Sequence, residues 1–187
     1  MAEAQFLKNF SKTFEKPLDK YLTLWYNKYT KEREEKQTMN ATIYFDMDGT
    51  IADLYGVEGW LNDLRSGNSR PYREAKVMLN MSTLARLLNK AQARGYRLGV
   101  ISWLSKTGTP QYNEEVVQIK LAWLKKHLKS VNFDKIHIVE YGTPKSNFAT
   151  HLDILFDDEE KNRVEWCGEA YEPSDIISLL KEITKGA

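Results

Sequence analysis

The chain predicts an α/β fold: a three-layer parallel sheet, with a small cap insertion and a helical N-terminal extension. Three observations carry this expectation. From Met39 onward, short β-rich apolar runs alternate with amphipathic helical segments, the order that gives a parallel sheet covered by crossover helices. The runs are almost continuously apolar, as strands buried on both faces must be. Three of them end in acids or a hydroxyl, and a parallel sheet gathers its strand ends at one rim.

The elements follow in order. In residues 1–38, Leu7, Phe10 and Phe14 recur at helical spacing, as do Leu18, Leu22, Trp25 and Tyr29, with Pro17 as a break between the two stripes. The charged run "KYTKEREEKQ" then suits a solvated helix end or linker. This extension either packs its aromatic stripe on the domain or presents it for self-association or a partner. Residues 39–187 form the main domain, which opens on "ATIYFD" as its first strand. Segment 57–80, "VEGWLNDLRSGNSRPYREAKVMLN", is too long for an ordinary connection and is read as the cap insert.

In "STLARLLNKAQARGY", Leu84, Leu87, Leu88 and Ala91 share one helical face, Ser82 is the candidate cap and Gly95 the stop. "RLGVIS" is the second strand. The next helix, "NEEVVQIKLAWLKKHL", takes Asn113 as its cap, acids in its first turn, and Val117, Leu121, Leu124 and Leu128 as its core face. "KIHIVEY" and "LDILFDD" are the third and fourth strands, and "SDIISLLKEITK" closes the chain as a helix capped by Ser174.

Composition bounds the function. With 187 residues and 42% hydrophobic content the chain can bury one substantial core, which fits a single domain with an appendage. A formal charge of +1 gives no overall field toward nucleic acid or an anionic membrane surface. The single cysteine, Cys167, excludes an internal disulfide and a thiolate zinc site; it has no adjacent base and is expected to be a buried thiol. No run approaches the roughly 20 apolar residues of a membrane span, and no secretory signal is evident, so a soluble cytoplasmic setting is expected. His127, His137 and His151 are read as a surface residue, a packed strand residue and a turn residue.

The chemistry concentrates at the strand ends. Asp46 and Asp48 close the first strand, Ser102 the second, and Asp157 and Asp158 the fourth. Crowded carboxylates are costly unless a cation or proton offsets them. Acid and carbonyl oxygens without His or Cys partners favour a hard octahedral ion such as Mg²⁺. Taken alone, "DMDG" also fits a turn or a helix cap. A calcium loop would need a glutamate where Gly56 or Val57 stands. The "SKTGTP" run has no SxxK before it and is set aside as a penicillin-recognising motif.

"FDMDGT", the serine after "GVI", the lysine of "TPKS" and "ILFDD" occur in the order of the four motifs of the haloacid dehalogenase superfamily, which the chain resembles over residues 41 to about 165. The resemblance implies a Rossmann-like fold and phosphoryl transfer, with Asp46 as nucleophile and Asp48 as acid and base. It implies that Ser102 and Lys145 bind the phosphoryl group. Mg²⁺ would be held by Asp46, the Asp48 carbonyl and Asp158, with Asp157 orienting its neighbour. Within that superfamily, "DMDGTIADLYG", "KLAWLKKHL" and "ILFDDEEKNR" look similar to the 5'(3')-deoxyribonucleotidases. This implies a small substrate such as a nucleoside monophosphate, with Trp60, Tyr72 and Trp103 stacking on a base and Arg65, Arg70 and Arg73 meeting phosphate or sugar. The competing expectations are a phosphatase on nucleic-acid ends or phosphoproteins, and a non-catalytic phospho-ligand binder whose N-terminal helices form the partner surface.

Overall fold

The computed structural model describes residues 22–30 and 41–185, which fall into two units, a helix of the N-terminal extension and the main body. The stripe residues Leu7, Phe10, Phe14 and Leu18, and the break at Pro17, lie outside the described residues. Helix α1 (22–30) carries Trp25 and Tyr29 one turn apart, with their rings stacked at 5.2 Å.

The body is built on a five-stranded sheet in the order β5-β4-β1-β6-β7, with every neighbouring pair parallel. The strands are β1 (Thr42–Phe45), β4 (Arg97–Trp103), β5 (Lys135–Val139), β6 (Ile154–Phe156) and β7 (Glu169–Tyr171). β1 is central and wholly buried, which is why "TIYF" has no polar face. Alternate residues divide between the two sides of the sheet. Ile43, Phe45, Leu98, Val100 and Phe156 join a core with Leu84, Leu87, Leu88 and Ala91 of helix α4 (Met81–Ala93). Trp123 and Leu124 of α5 (Pro110–His127) and Ile176 and Leu180 of α7 (Ile176–Ile183) complete it. Tyr44, Ile101 and Leu155 pack the other way onto Trp166. Gly99 makes this possible, because any Cβ there would collide with the Tyr44 ring lying across it.

β7 and α6 (Glu160–Glu165) were not foreseen; three residues and six residues leave too little pattern to read. The same holds for a two-residue hairpin, β2 (Ala52–Asp53) against β3 (Lys76–Val77), which brackets the cap segment. That segment contains two short helices, α2 (Trp60–Arg65) and α3 (Arg70–Glu74).

All three expected helix caps are displaced. Asn80, not Ser82, caps α4 through the Thr83 N–H. α5 begins three residues before Asn113, with Thr109 accepting from the Tyr112 N–H and Pro110 in the first turn, where its missing N–H costs nothing. The acids expected in that first turn therefore fall further along the helix. Ser174 lies in the 3₁₀ turn Pro173–Asp175, and α7 starts after it. Within α5 the buried stripe is Tyr112, Val116, Lys120, Trp123 and Leu124, while Val117 and Leu121 are half-buried. No helix among the described residues is long and apolar enough to cross a membrane.

Candidate active site

After β1 the chain turns sharply, with the Met47 carbonyl accepting from the N–H groups of Thr50, Ile51 and Ala52. Gly49 has φ +77°, a left-handed conformation, and a Cβ there would strike the Asp158 carboxylate and the Tyr55 ring. The "DMDG" glycine is thus demanded both by the turn and by the closeness of the terminal acid pair. The Asp46 N–H donates to the Phe156 carbonyl at 2.9 Å, tying the first motif to the last.

The sequence-predicted residues meet here. Lys145 opens the 3₁₀ turn Lys145–Phe148; its Nζ lies 2.6 Å from Asp157 Oδ2 and 3.1 Å from Asp46 Oδ1. Burial opposes its charge, but Asp46 and Asp157 outweigh burial and raise its pKa above the usual lysine value. Asp157 is fully buried and accepts from Lys145, the Glu159 N–H and the Asn162 amide. Arg163 donates to the carbonyls of Asp157 and Asp158, fixing the turn that bears both acids. Asp158 exchanges weak hydrogen bonds with Thr50. Burial and the charges of Asp46 and Asp157 push its carboxyl up to about 7.

Sequence reasoning missed one residue of the cluster. Lys120 is 1% exposed, and its Nζ contacts Asp48 Oδ2 at 2.6 Å, Ser102 Oγ at 2.7 Å and the Trp103 carbonyl at 2.8 Å. It also lies 4.9 Å from the centre of the Tyr72 ring, contributed by the cap helix α3. The available signal was its register: Lys120 stands one turn from both Val116 and Leu124, on the apolar stripe of α5. Burial raises the Asp48 pKa, Lys120 pulls it back, and Asp46 adds to the rise, which wins.

Four carboxylates, Asp46, Asp48, Asp157 and Asp158, thus face two buried ammonium groups, leaving two negative charges without a cation. Asp46, Asp157 and Asp158 bring oxygens within 4.8 Å of one another. Both oxygens of Asp157 already accept hydrogen bonds, whereas buried Asp46 Oδ1 lacks a donor in hydrogen-bond geometry among the described residues. An all-oxygen set short of two positive charges fits a hard divalent cation such as Mg²⁺.

Beyond Asp46 and Asp48 opens a cavity of about 380 Å³. Trp60, Leu61, Leu64 and Arg65 of α2 form one wall, with Tyr55, Tyr72, Trp103 and Tyr141 around it. Trp103 is fixed by its Nε1–H donating to the Thr143 carbonyl at 2.9 Å. Of the expected cap arginines only Arg65 lines this cavity. Arg70 is held by Asp63 and Glu74, and Arg73 by Glu115, because the small cap satisfies its own charges and those of α5 first. Cys167 is exposed, not buried: it follows the buried Trp166 where the chain turns outward before β7. His137 packs against Phe148 at 4.3 Å, His127 against Trp123 at 4.5 Å, and His151 is exposed.

No protein-family model matches the chain, and no curated protein matches it. Among solved structures the chain is similar to the crystal structure of D,D-heptose 1,7-bisphosphate phosphatase from Burkholderia thailandensis. The TM-score is 0.50 at 10% identity, covering 78% of this chain and 99% of the other. The likeness is one of fold. It agrees with the Rossmann-like parallel-sheet fold expected from the sequence and does not single out the nucleotidase group.

Proposed function

We propose that the chain is a Mg²⁺-dependent phosphomonoesterase that works through an aspartyl phosphate on Asp46 and acts on small, nucleotide-like substrates. The observation that carries this reading is the division of the DxD pair. Asp46 and Asp48 sit side by side at the floor of one cavity, but each is held by a different buried lysine. One carboxylate oxygen of Asp46 attacks phosphorus as the ester P–O bond breaks, and Asp48 gives its proton to the departing oxygen. Asp48 then takes a proton from the water that cleaves the acyl phosphate. Its raised pKa suits that exchange, since a carboxyl that holds a proton nearer neutrality is a better acid at working pH.

Ser102 Oγ accepts from Lys120, which leaves its own O–H to donate to a phosphoryl oxygen. Lys145, beside Asp46, offsets charge that builds on the transferring group. Asp46, Asp158 and the Asp48 carbonyl would hold Mg²⁺, with Asp157 orienting Lys145 and the turn. When bound, the ion supplies Lewis-acid charge at the phosphoryl oxygens and neutralises the carboxylates. The nucleotide-like leaving group is favoured by the aromatic lining and by a volume that suits a small ligand. The test is phosphate release from nucleoside monophosphates, sugar phosphates and phosphoamino acids at controlled Mg²⁺. Release that survives a strong chelator, or a preference for non-nucleotide esters, would refute the corresponding part.

A further inference from the structure

We propose that Arg65 and Lys106 form a second anion subsite at the cavity, so that the preferred substrates carry a second phosphate beside the one removed. This rests on the reading above and deepens it. Helix α2 has no fully buried residue: Leu64 packs against the small core of Leu54, Tyr72, Leu104, Tyr112 and Val116, and Trp60, Leu61, Leu64 and Arg65 all line the cavity. That face ends in a guanidinium. From the main domain, the loop after β4 brings Leu104, Ser105, Lys106 and Thr107 to the same cavity.

The two cations are uncommitted in a way their neighbours are not. Arg70 and Arg73 of the cap are each paired with carboxylates, and Lys120 and Lys145 are locked to the DxD and terminal acids. Among the described residues Arg65 has no carboxylate partner, and Lys106 makes only a cation–π contact with Tyr141, 5.7 Å from its centre. The acids of the lining are Asp46, Asp48 and Glu159, the last following the terminal acid pair with its N–H bonded to Asp157, and none of them is paired with Arg65 or Lys106 among the described residues. Apolar walls and two cations not held by acids, in one lining with the DxD pair, match a ligand that carries a second anionic group beside the one that reacts. Arg65 offers the planar fork suited to a phosphate, and Lys106 a mobile point charge. A nucleoside 3',5'-bisphosphate has this chemistry, and so does the 5'-phosphorylated end of an oligonucleotide, whose next phosphodiester lies in the same place.

Binding is measured by calorimetry on the Asp46→Asn protein with Mg²⁺, so that turnover does not intervene. The probes are a nucleoside 5'-monophosphate, its 3',5'-bisphosphate, a 5'-phosphorylated dinucleotide, and fructose 6-phosphate against fructose 1,6-bisphosphate. The bisphosphate nucleotide is expected to bind about tenfold more tightly than the monophosphate, the gain from two exposed charge contacts. Adding Arg65→Ala and Lys106→Ala should bring that ratio below about twofold, and raising salt should shrink it in the parent protein. A dinucleotide that matches the bisphosphate points to nucleic-acid ends as the source, and one that binds less tightly points to free bisphosphates; either supports the subsite. A preference confined to the sugar pair supports the subsite and overturns the nucleotide reading. Equal affinity for mono- and bisphosphates in both pairs, or a ratio that survives the double substitution, overturns the subsite and leaves the nucleotide reading standing. No binding of any phosphate ester overturns both.

Discussion

Lys120→Met keeps most of the aliphatic stem and removes the ammonium group that joins Asp48, Ser102 and the Trp103 carbonyl at 2.6, 2.7 and 2.8 Å. The lysine is 1% exposed and the Asp48 side chain 14%, so the carboxylate left behind has little water to replace its partner. Removing one member of a buried pair costs roughly 3–5 kcal/mol, and the slight exposure of Asp48 places this case near 3 kcal/mol. The deficit should depend on pH. The Asp48 pKa already lies above that of an ordinary carboxyl because of burial, and loss of Lys120 removes the largest downward pull on it. A carboxyl raised in the folded state binds more protons there than in the unfolded chain, so stability falls as pH climbs from the unfolded pKa to the folded one. Urea unfolding should therefore show the deficit of the variant to be larger at pH 8 than at pH 5, by about 1 kcal/mol or more. The double variant Asp48→Asn/Lys120→Met should lose less than the sum of the singles. A deficit that is equal at the two pH values, or larger at pH 5, would refute the pairing argument.

Three further outcomes are expected. Asp46→Asn should lower Mg²⁺-dependent phosphate release by at least about a thousandfold, because it removes the nucleophile and not a contact; single-turnover assays check it, and a loss under tenfold would exclude covalent catalysis. Asp158 must lose its proton to bind an ion and its carboxyl titrates near about 7, so apparent Mg²⁺ affinity should rise about tenfold per unit up to that pH and then level. Calorimetry between pH 5.5 and 8 reads this, and Asp158→Asn should weaken binding and flatten the profile. Gly49→Ala should cost about 1–2 kcal/mol from its left-handed φ alone and weaken Mg²⁺ binding as its methyl group displaces the Asp158 carboxylate, read by thermal melting with and without the ion.

The sheet was legible because its central strands are buried on both faces and their continuous apolar runs admit few other readings. Helix existence was equally legible, but helix starts were not. Ser82, Asn113 and Ser174 have capping chemistry, yet so do Asn80, Thr109 and Asp175, and only the packed register of each helix decides between them. β7 was lost because "EAY" is paired along one edge only and carries too few residues to show a period. At the site, the residues at strand ends could be read because strand order places them together. Lys120 could not be read so directly, since it reaches the same place from the middle of a helix. Arg70 and Arg73 were overread: a basic run near a cleft is no evidence of ligand contact until the acids around it, Asp63, Glu74 and Glu115, have taken their share.

Lys120 also changes how the crowding of acids in "DMDG" is relieved. Two aspartates with a single residue between them repel each other, and left to themselves neither would have a settled role. Here each is engaged by an ammonium group from a different element, Asp46 by Lys145 of the 3₁₀ turn and Asp48 by Lys120 of α5. Lys145 is shared with Asp157 and lies 3.1 Å from Asp46 Oδ1 outside hydrogen-bond geometry, so that oxygen has an ionic partner but no hydrogen-bond donor among the described residues, an arrangement suited to a nucleophile. Lys120 is bound to Asp48, Ser102 and the Trp103 carbonyl at the end of β4, so the acid, the hydroxyl and the cavity-lining end of that strand are held by one cation. Tyr72 of the cap lies over that same cation. A shift of α3 would therefore change the surroundings of Lys120 and, through it, the proton affinity of Asp48. Tyr72→Leu should move the alkaline limb of the pH–rate profile, where Asp48 loses the proton it must donate, while leaving Mg²⁺ affinity in place, a pair of readouts that simple loss of packing would not separate.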